Sequence, residues 1–362
     1  MKINWYGTLS AGQGYSGSGE QTAIALERRE DTDVTVISFN PVPQINLSAE
    51  GRKLKSKPFQ FADVALCHGF PASFSSIQNH KFRVGYTMFE TDKLPDGNTP
   101  WTGKFPTAAD AINKQLDLLL VPSTYCVELF RDSGVTIPIE VVPNGVSQEY
   151  YSFIDRSDHL TSKKPFTFLM MATLTTRKNP GMVISAFSSL FRDNKDARLI
   201  LKTQSGTLGH MQFNEDMGDI TVIDQAYKMD DMKKLMAEAD CFVFPSRGEG
   251  FGMPPIEAMA TGLPTIVAKN TGMIDYCDER YNYFVEKNVK TPANRYPTKW
   301  GDVGNWYEPD YQEFKGLMKH VYENQDEARE KGKLAAQWMK EEWNYDVIAQ
   351  KIVDAVNKHY KG

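Results

Sequence analysis

Apolar residues along this chain come in short unbroken runs. "INWYGTL", "VTVISF", "VALCHG", "FRVGYTMF", "LLLVPS" and "IEVVPN" occupy the first part, and "FTFLMMA", "RLILKT", "ITVID", "CFVFPS" and "PTIVAK" the second. Longer stretches with apolar positions at helical spacing lie between them. Unbroken apolar strands are buried on both faces, as in a parallel sheet covered by crossover helices. Both halves of the chain therefore predict doubly wound α/β domains.

One stretch interrupts the alternation. "SQEYYSFIDRSDHLTSKKP" is polar, has no clean periodicity, and ends in a proline before a new strand, which reads as a boundary. The predicted domains are 1–152 and 165–340, and 362 residues suit two domains of about 150 residues each. Near the end, Val347, Ile348, Ile352, Val353 and Val356 fall at helical spacing. They predict an amphipathic helix over 344–360 that completes the first domain. Ligands of such sheets bind outside the carboxyl ends of the strands, so the two Rossmann-like domains are expected to face each other across a cleft.

Composition narrows the class. The chain is 41% hydrophobic and 24% charged, as expected for a globular protein that can bury a core in each half. A net charge of −5 excludes whole-chain basicity, so affinity for nucleic acid or an anionic membrane needs a local patch. Only "RKLKSK" supplies one, through Arg52, Lys53, Lys55 and Lys57. Most such runs are solvated loops. As a functional patch it favours an acceptor bearing phosphates, although the lack of interleaved aromatic residues weakens the nucleic-acid version.

Cys67, Cys126, Cys241 and Cys277 form no C-x-x-C pair, which predicts reduced thiols and no zinc site. No targeting signal is visible, and the longest apolar stretch, "FTFLMMA", falls far short of the roughly 20 residues of a membrane span. The expectation is a cytoplasmic protein, with peripheral membrane contact left open.

The densest chemistry lies at 231–268. "CFVFPS" predicts a buried strand, "RGEGFG" a glycine-rich turn, and "MPPIEAMAT" a helix opened by Pro254 and Pro255 and stopped by Gly262. The unpaired amides at that helix start invite an anion, and Gly250 and Gly252 let the backbone approach it. Glu249 and Glu257, eight positions apart, can each accept two hydrogen bonds from a vicinal diol of a sugar or ribose. A second constellation, Arg177 and Lys178 in "FTFLMMATLTTRKNPGMVISAF", follows the first strand of the second half. Arginine supplies a planar fork and lysine a compact charge.

Glu249-x7-Glu257 in "EGFGMPPIEAMATG" resembles the signature of retaining, nucleotide-sugar-dependent glycosyltransferases with the GT-B fold, the group 1 or family 4-like enzymes. The resemblance covers most of the chain, through weaker matches around His68, Glu90 and "PNGV". It implies an acceptor-binding first domain, a donor-binding second domain and no required cofactor or metal. It further implies that Glu249 binds the transferred sugar, that the amides of Phe251 and Gly252 lie near the sugar and diphosphate, and that Glu257 holds the ribose. Arg177 and Lys178 would stabilise the departing diphosphate, with Lys202 as a further candidate; a surface lysine is the alternative for Lys202. Many relatives place the arginine several residues before the lysine, where this chain has Thr173 to Thr176. The reaction implied proceeds on one face of the sugar, the departing phosphate oxygen taking the acceptor's proton.

Glu90 stands where many relatives have a histidine that touches the donor sugar, and His68 ends the preceding strand. Both are candidates for the sugar or acceptor; a satisfied structural histidine is the alternative for His68.

Two decoys are set aside. Gly12-x-Gly14-x-x-Gly17 spells a dinucleotide turn, yet the second strand ends in Asn40 where an NAD site needs an acidic residue. Within this loop, Gly17 and Gly19 are expected to meet the donor diphosphate, as the resemblance implies. Asp31 and Asp33 spell an Asp-x-Asp metal motif, but they precede their strand, away from the ligand end. Two other functions stay open: a sugar-nucleotide 2-epimerase, whose catalytic pattern the chain lacks, and an inert sugar-nucleotide-binding module.

Overall fold

The computed structural model describes residues 1–10, 14–39, 47–97, 99–160, 164–203, 217–294 and 300–362. Gly12 and Asn40 lie outside them. The chain divides into two compact units: Met1–Gly145 with Pro292–Asn305 and Trp343–Gly362, and Val146–Thr291 with Trp306–Glu342.

In the first unit, β1 (Lys2–Gly7), α1 (Gly14–Arg28), β2 (Asp33–Ser38), α2 (Ala49–Lys55), β3 (Val64–His68) and β4 (Phe82–Tyr86) are followed by α3 (Ala108–Gln115), β5 (Leu118–Val121), α4 (Thr124–Asp132) and β6 (Ile139–Val141). The strands form a six-stranded sheet in the order β2-β1-β3-β4-β5-β6, with parallel pairing throughout. The second unit holds β7 (Phe166–Met171), α5 (Pro180–Phe191), β8 (Ala197–Thr203), β9 (Ile220–Asp224), α6 (Met229–Glu238), β10 (Cys241–Phe244), α7 (Met253–Ala260), β11 (Thr265–Ala268) and β12 (Tyr283–Val285). Its sheet, also parallel, runs β12-β11-β10-β7-β8-β9. β13 (Asn288–Pro292) pairs with β14 (Asn305–Pro309), and α8 (Tyr311–Glu323), α9 (Gln325–Glu342) and α10 (Tyr345–His359) complete the chain.

This is the GT-B architecture, two doubly wound Rossmann-like units. Each sheet reverses its winding once, between β1 and β3 in the first and between β7 and β10 in the second. Such reversals leave an open crevice at the carboxyl ends of the two diverging strands.

Every residue of β3 and of β7 is buried, as their unbroken apolar sequences require. In the first core, Ile3, Trp5, Leu66, Val84 and Leu118 pack with Ile24 and Leu26 of α1 and with Ile348, Ile352 and Val356 of α10. Each of those α10 side chains contributes about 2 kcal/mol by burial. The amide of Val347 donates to Asn344, which caps α10. In the second core, Phe168, Met170, Leu199, Leu201, Val243 and Ile266 meet Phe187 and Phe191 of α5 and Phe314, Met318 and Val321 of α8.

The structure departs from the sequence reading in three places. The stretch read as a boundary is built into the second unit by Arg156. Its buried guanidinium donates to the carbonyls of Ile154, Met236, Ala239 and Thr261, the last three at the ends of α6 and α7. Helix carboxyl ends carry partial negative charge, which makes them the right partner for a buried cation. Burial lowers its pKa to about 10, with Asp240 opposing. The division accordingly falls after Gly145, and the excursion Pro292–Asn305 interrupts the second domain.

Next, Gly17 and Gly19 are buried within α1, not in a loop. A Cβ on Gly19 would sit 2.9 Å from His68 Nδ1, so this glycine serves close packing of helix on strand. The basic run, in turn, forms much of α2 and its end. Arg52 donates to the carbonyl of Leu47, and Lys57 pairs with Glu27 and Asp33 at 2.6 and 2.7 Å, which leaves Lys53 as its one fully exposed cation besides Arg52. Asp31 pairs with Arg29, so the Asp-x-Asp residues are both engaged by cations at the amino end of β2.

The four cysteines are free thiols. Among the described residues no helix is long and apolar enough to cross a membrane, and no group of three or more His, Cys, Asp or Glu is placed to hold a metal ion.

Candidate functional site

The winding reversal of the second unit brings two loops together. The β7–α5 loop ends in Asn179, a residue that tolerates the left-handed conformation it adopts (φ 60°), ahead of Pro180 at the first helical position. The β10–α7 loop ends in Gly252 with φ 90°, ahead of the Met253–Pro254–Pro255 start of α7. A side chain there would be strained and would also meet the Tyr276 hydroxyl 2.5 Å from its Cβ. Among the described residues α5 and α7, like α6, receive no side-chain cap, whereas α2, α3, α4, α8 and α10 do. Two helix amino ends at the crevice thus keep first-turn amides and the positive end of the dipole for an anion.

Side chains add to that field. Glu249 Oε1 accepts from Lys178 Nζ at 2.6 Å and from Ser246 Oγ at 2.6 Å, and lies 2.9 Å from Arg177 Nη1. Its Oε2 makes no hydrogen bond among the described residues. Burial alone would raise this carboxyl's pKa. The charges of Arg177 and Lys178, with the Lys178 and Ser246 hydrogen bonds, outweigh burial and hold it down at about 2. Arg177 also donates to the carbonyl of Gly248 at 2.5 Å, which fixes its fork.

Residues that the motifs did not single out set this geometry. Arg247 donates to Glu308 and to the carbonyl of Thr176, and its amide donates to the carbonyl of Arg177 at 2.8 Å, so the two loops are sewn together. Thr271 accepts the amide of Glu249 at 2.8 Å from a left-handed conformation (φ 47°) that a β-branched residue rarely adopts. Strain of this kind costs about 1–3 kcal/mol and gathers at functional sites. The only trace of it in sequence is the Thr-Gly pair of "KNTGM".

Glu257 sits in α7, also buried, with a different neighbourhood. Burial pushes its carboxyl up to about 7 against a hydrogen bond from Tyr151. Lys202 does not join the cluster: its ammonium donates to the carbonyls of Thr203 and Gln225 at 2.6 and 2.7 Å and lies 4.8 Å from the Tyr227 ring. Phe251 is buried beside Tyr276, with ring centroids 5.7 Å apart.

At the winding reversal of the first unit, His68 pairs with Gly7 at the carboxyl ends of β3 and β1. Its ring stacks on Tyr15 (4.0 Å, 16°) and on Trp5 (5.7 Å), with Tyr86 edge-on. Burial lowers its pKa to about 3, and among the described residues neither ring nitrogen has a hydrogen-bond partner. It is buried like a structural histidine but not satisfied like one. Glu90, half-buried, follows β4 on the same side of the sheet.

Residues 152–295, which include this charged cluster, match the family described as glycosyl transferases group 1. The match covers less than half of the chain, so it is this stretch that is similar to the family. Mannosylfructose-phosphate synthase of Agrobacterium fabrum is 28% identical over 248 residues, 56% of this chain and 55% of that protein. Of the curated relatives that are 28% identical, the chain spans only 15% to 55% of the length. In structure, sucrose-phosphate synthase of Thermosynechococcus elongatus superposes with a TM-score of 0.69 at 13% identity, covering 99% of this chain and 98% of the other. HepE of Anabaena, in complex with UDP, does so with a TM-score of 0.66 at 17% identity, covering 99% and 100%. At these identities the superpositions establish the fold.

Proposed function

We propose that this protein is a retaining, metal-independent glycosyltransferase that moves a sugar from a nucleoside diphosphate to a hydroxyl acceptor. The observation that carries the reading is the Arg177–Lys178–Glu249 cluster beside two helix amino ends without side-chain caps. Such a site suits an anion whose charge grows as a bond breaks. HepE, with the same architecture, binds UDP, which favours a uridine nucleotide as donor.

In this reading the diphosphate lies over the first turns of α5 and α7, and Arg177 and Lys178 turn toward it. Glu249 then accepts a sugar hydroxyl on Oε2, and Glu257 accepts from the ribose diol. The bond from the anomeric carbon to the phosphate oxygen breaks while the acceptor oxygen bonds that carbon on the same face. The acceptor's proton passes to the leaving phosphate oxygen, so no protein base is needed. The first unit holds the acceptor.

Incubation with radiolabelled UDP-, GDP- and ADP-sugars tests this. Slow release of an α-configured sugar from one of them is the expected result. A β-configured product removes the retaining assignment, an epimerised nucleotide sugar points to the epimerase, and binding without turnover points to an inert module. Full activity after exhaustive chelation is expected of a metal-independent enzyme, and a requirement for added divalent cation would overturn that part.

A further inference from the structure

We propose that Phe70 and Trp300 form an aromatic platform at the carboxyl edge of the first unit's sheet that binds a pyranose ring of a neutral glycan acceptor. The proposal rests on the glycosyltransferase reading and names its acceptor class. Phe70 directly follows the β3 crevice residues and is 48% exposed, although Trp101 (6.5 Å) and Trp300 (6.0 Å, edge-on) flank it. Tyr15, which covers His68, lies parallel to Phe70 at 6.3 Å and 16°. Aromatic rings thus line the winding reversal, where ligands of this fold bind, and exposed apolar surface at such a place marks an interaction site.

Trp300 is brought there by a dedicated device. The Pro292–Asn305 excursion leaves the second unit's sequence and is anchored beside β4. Asp92 accepts from the Asn305 amide at 2.6 Å and from its Nδ2 at 3.1 Å, Ala293 donates to the carbonyl of Gly304 at 2.9 Å, and Lys93 pairs with Asp302 at 3.0 Å. Gly304 has φ 76°, and a Cβ there would fall 2.2 Å from Asp92 Oδ1, so Gly304 and Asp92 are matched. So many specific contacts hold a short excursion whose tryptophan stays only half-buried.

An independent observation points to a ligand. His68 Nδ1 and Nε2 and Trp5 Nε1 are buried beneath the aromatic row with no hydrogen-bond partner. Unpaired buried polar atoms are costly and are rare without a functional reason. A pyranose combines what this edge offers to bind: an apolar C–H face for the rings and hydroxyls for polar atoms, as in pockets where apolar walls carry a few convergent polar groups. A nucleic acid or phosphorylated polymer would also stack, but the Asp92 carboxylate stands at the anchor of this excursion. The basic helix α2 belongs to a different stretch, with Lys57 bound at the amino end of β2.

The test uses the full chain, a donor that the protein hydrolyses, and methyl α- and β-glycosides of mannose, glucose, galactose and N-acetylglucosamine as acceptors. Trp300→Ala and Phe70→Ala are each expected to raise the KM of the accepted glycoside tenfold or more and to lower the ratio of transfer to hydrolysis by a similar factor. Trp300→Phe, which keeps a ring, should recover most of the loss. Asp92→Ala, acting through the excursion, should raise KM in the same direction without changing the pH profile. An unchanged KM in the Trp300→Ala/Phe70→Ala double variant, or transfer to phosphorylated polymers but to none of the glycosides, overturns the platform. Were no donor turned over at all, the enzymatic reading would fail instead. Tryptophan fluorescence would still decide the platform: glycoside quenching that Trp300→Phe abolishes supports it, and equal or absent quenching overturns it.

Discussion

The winding reversals of the two units occupy the same place in the same kind of sheet and hold opposite chemistry. At β7 and β10 the loops carry charge, and the charged groups are partnered: Glu249 engages two cations and a hydroxyl. At β1 and β3 the strands themselves and α1 carry rings, and the polar atoms among them, on His68 and Trp5, are unmatched among the described residues. Sheet topology fixes where a ligand can enter, and the loops alone decide which ligand. A leaving diphosphate needs preorganised positive charge, whereas a neutral sugar needs a face to lie on and partners for its hydroxyls.

The comparison breaks most visibly at the charged reversal. Arg177→Ala and Lys178→Ala should each cut turnover about a hundredfold or more, the scale of lost transition-state charge stabilisation. Near-normal steady-state rates in both variants would remove the diphosphate from this crevice.

The two carboxylates sharpen it next, because they titrate in opposite directions. Glu257 sits at about 7 in the folded protein. If the ribose hydroxyls donate to its ionised form, UDP binding should tighten about tenfold between pH 6 and pH 8, and Glu257→Gln should flatten that dependence. Calorimetric titration across this range checks the sign; looser binding at pH 8 contradicts the assignment. The raised carboxyl also lowers stability progressively as pH climbs from about 4.5 to 7, because the folded state holds the proton longer.

Glu249, held at about 2, contributes stability that is fully present above about 4.5 and lost as pH falls toward 2. Urea unfolding between pH 6 and pH 3 should show Glu249→Gln with a shallower loss than the parent. Parallel curves would mean that the carboxylate is not paired as described.

The smallest effect belongs to the aromatic reversal. His68→Phe keeps a ring in the Tyr15 stack and removes two unpaired nitrogens, so stability should rise by about 1 kcal/mol. A loss of that size in thermal unfolding would mean that the imidazole has a partner after all.

The strand runs and the Glu249–Glu257 spacing were legible because they rest on local rules. Unbroken apolar runs bury on both faces, and a proline-opened helix after a glycine turn exposes amides whatever surrounds it. Arg156 was illegible for the opposite reason: in sequence it is one charge in a polar stretch, and only α6 and α7 arriving from 80 and more residues away make it a buried anchor. Lys202 and Lys57 mislead in the same way, since a lysine's role depends on whether carbonyls or carboxylates meet it first. Gly17 and Gly19 resemble a loop in their spacing but lie in a helix, where packing on His68 sets the need for a small residue at Gly19.

By itself, then, the sequence determined the two-domain α/β plan and the cationic residues that follow the first strand of the second unit, all carried by residues near one another in the chain. The tertiary structure alone decided the pairing of Arg177 and Lys178 on Glu249, the opposite titration of the two glutamates, and the return of Pro292–Asn305 to set Trp300 beside Phe70. Those depend on burial and on partners distant in sequence, and desolvation and pairing are properties of a place in space.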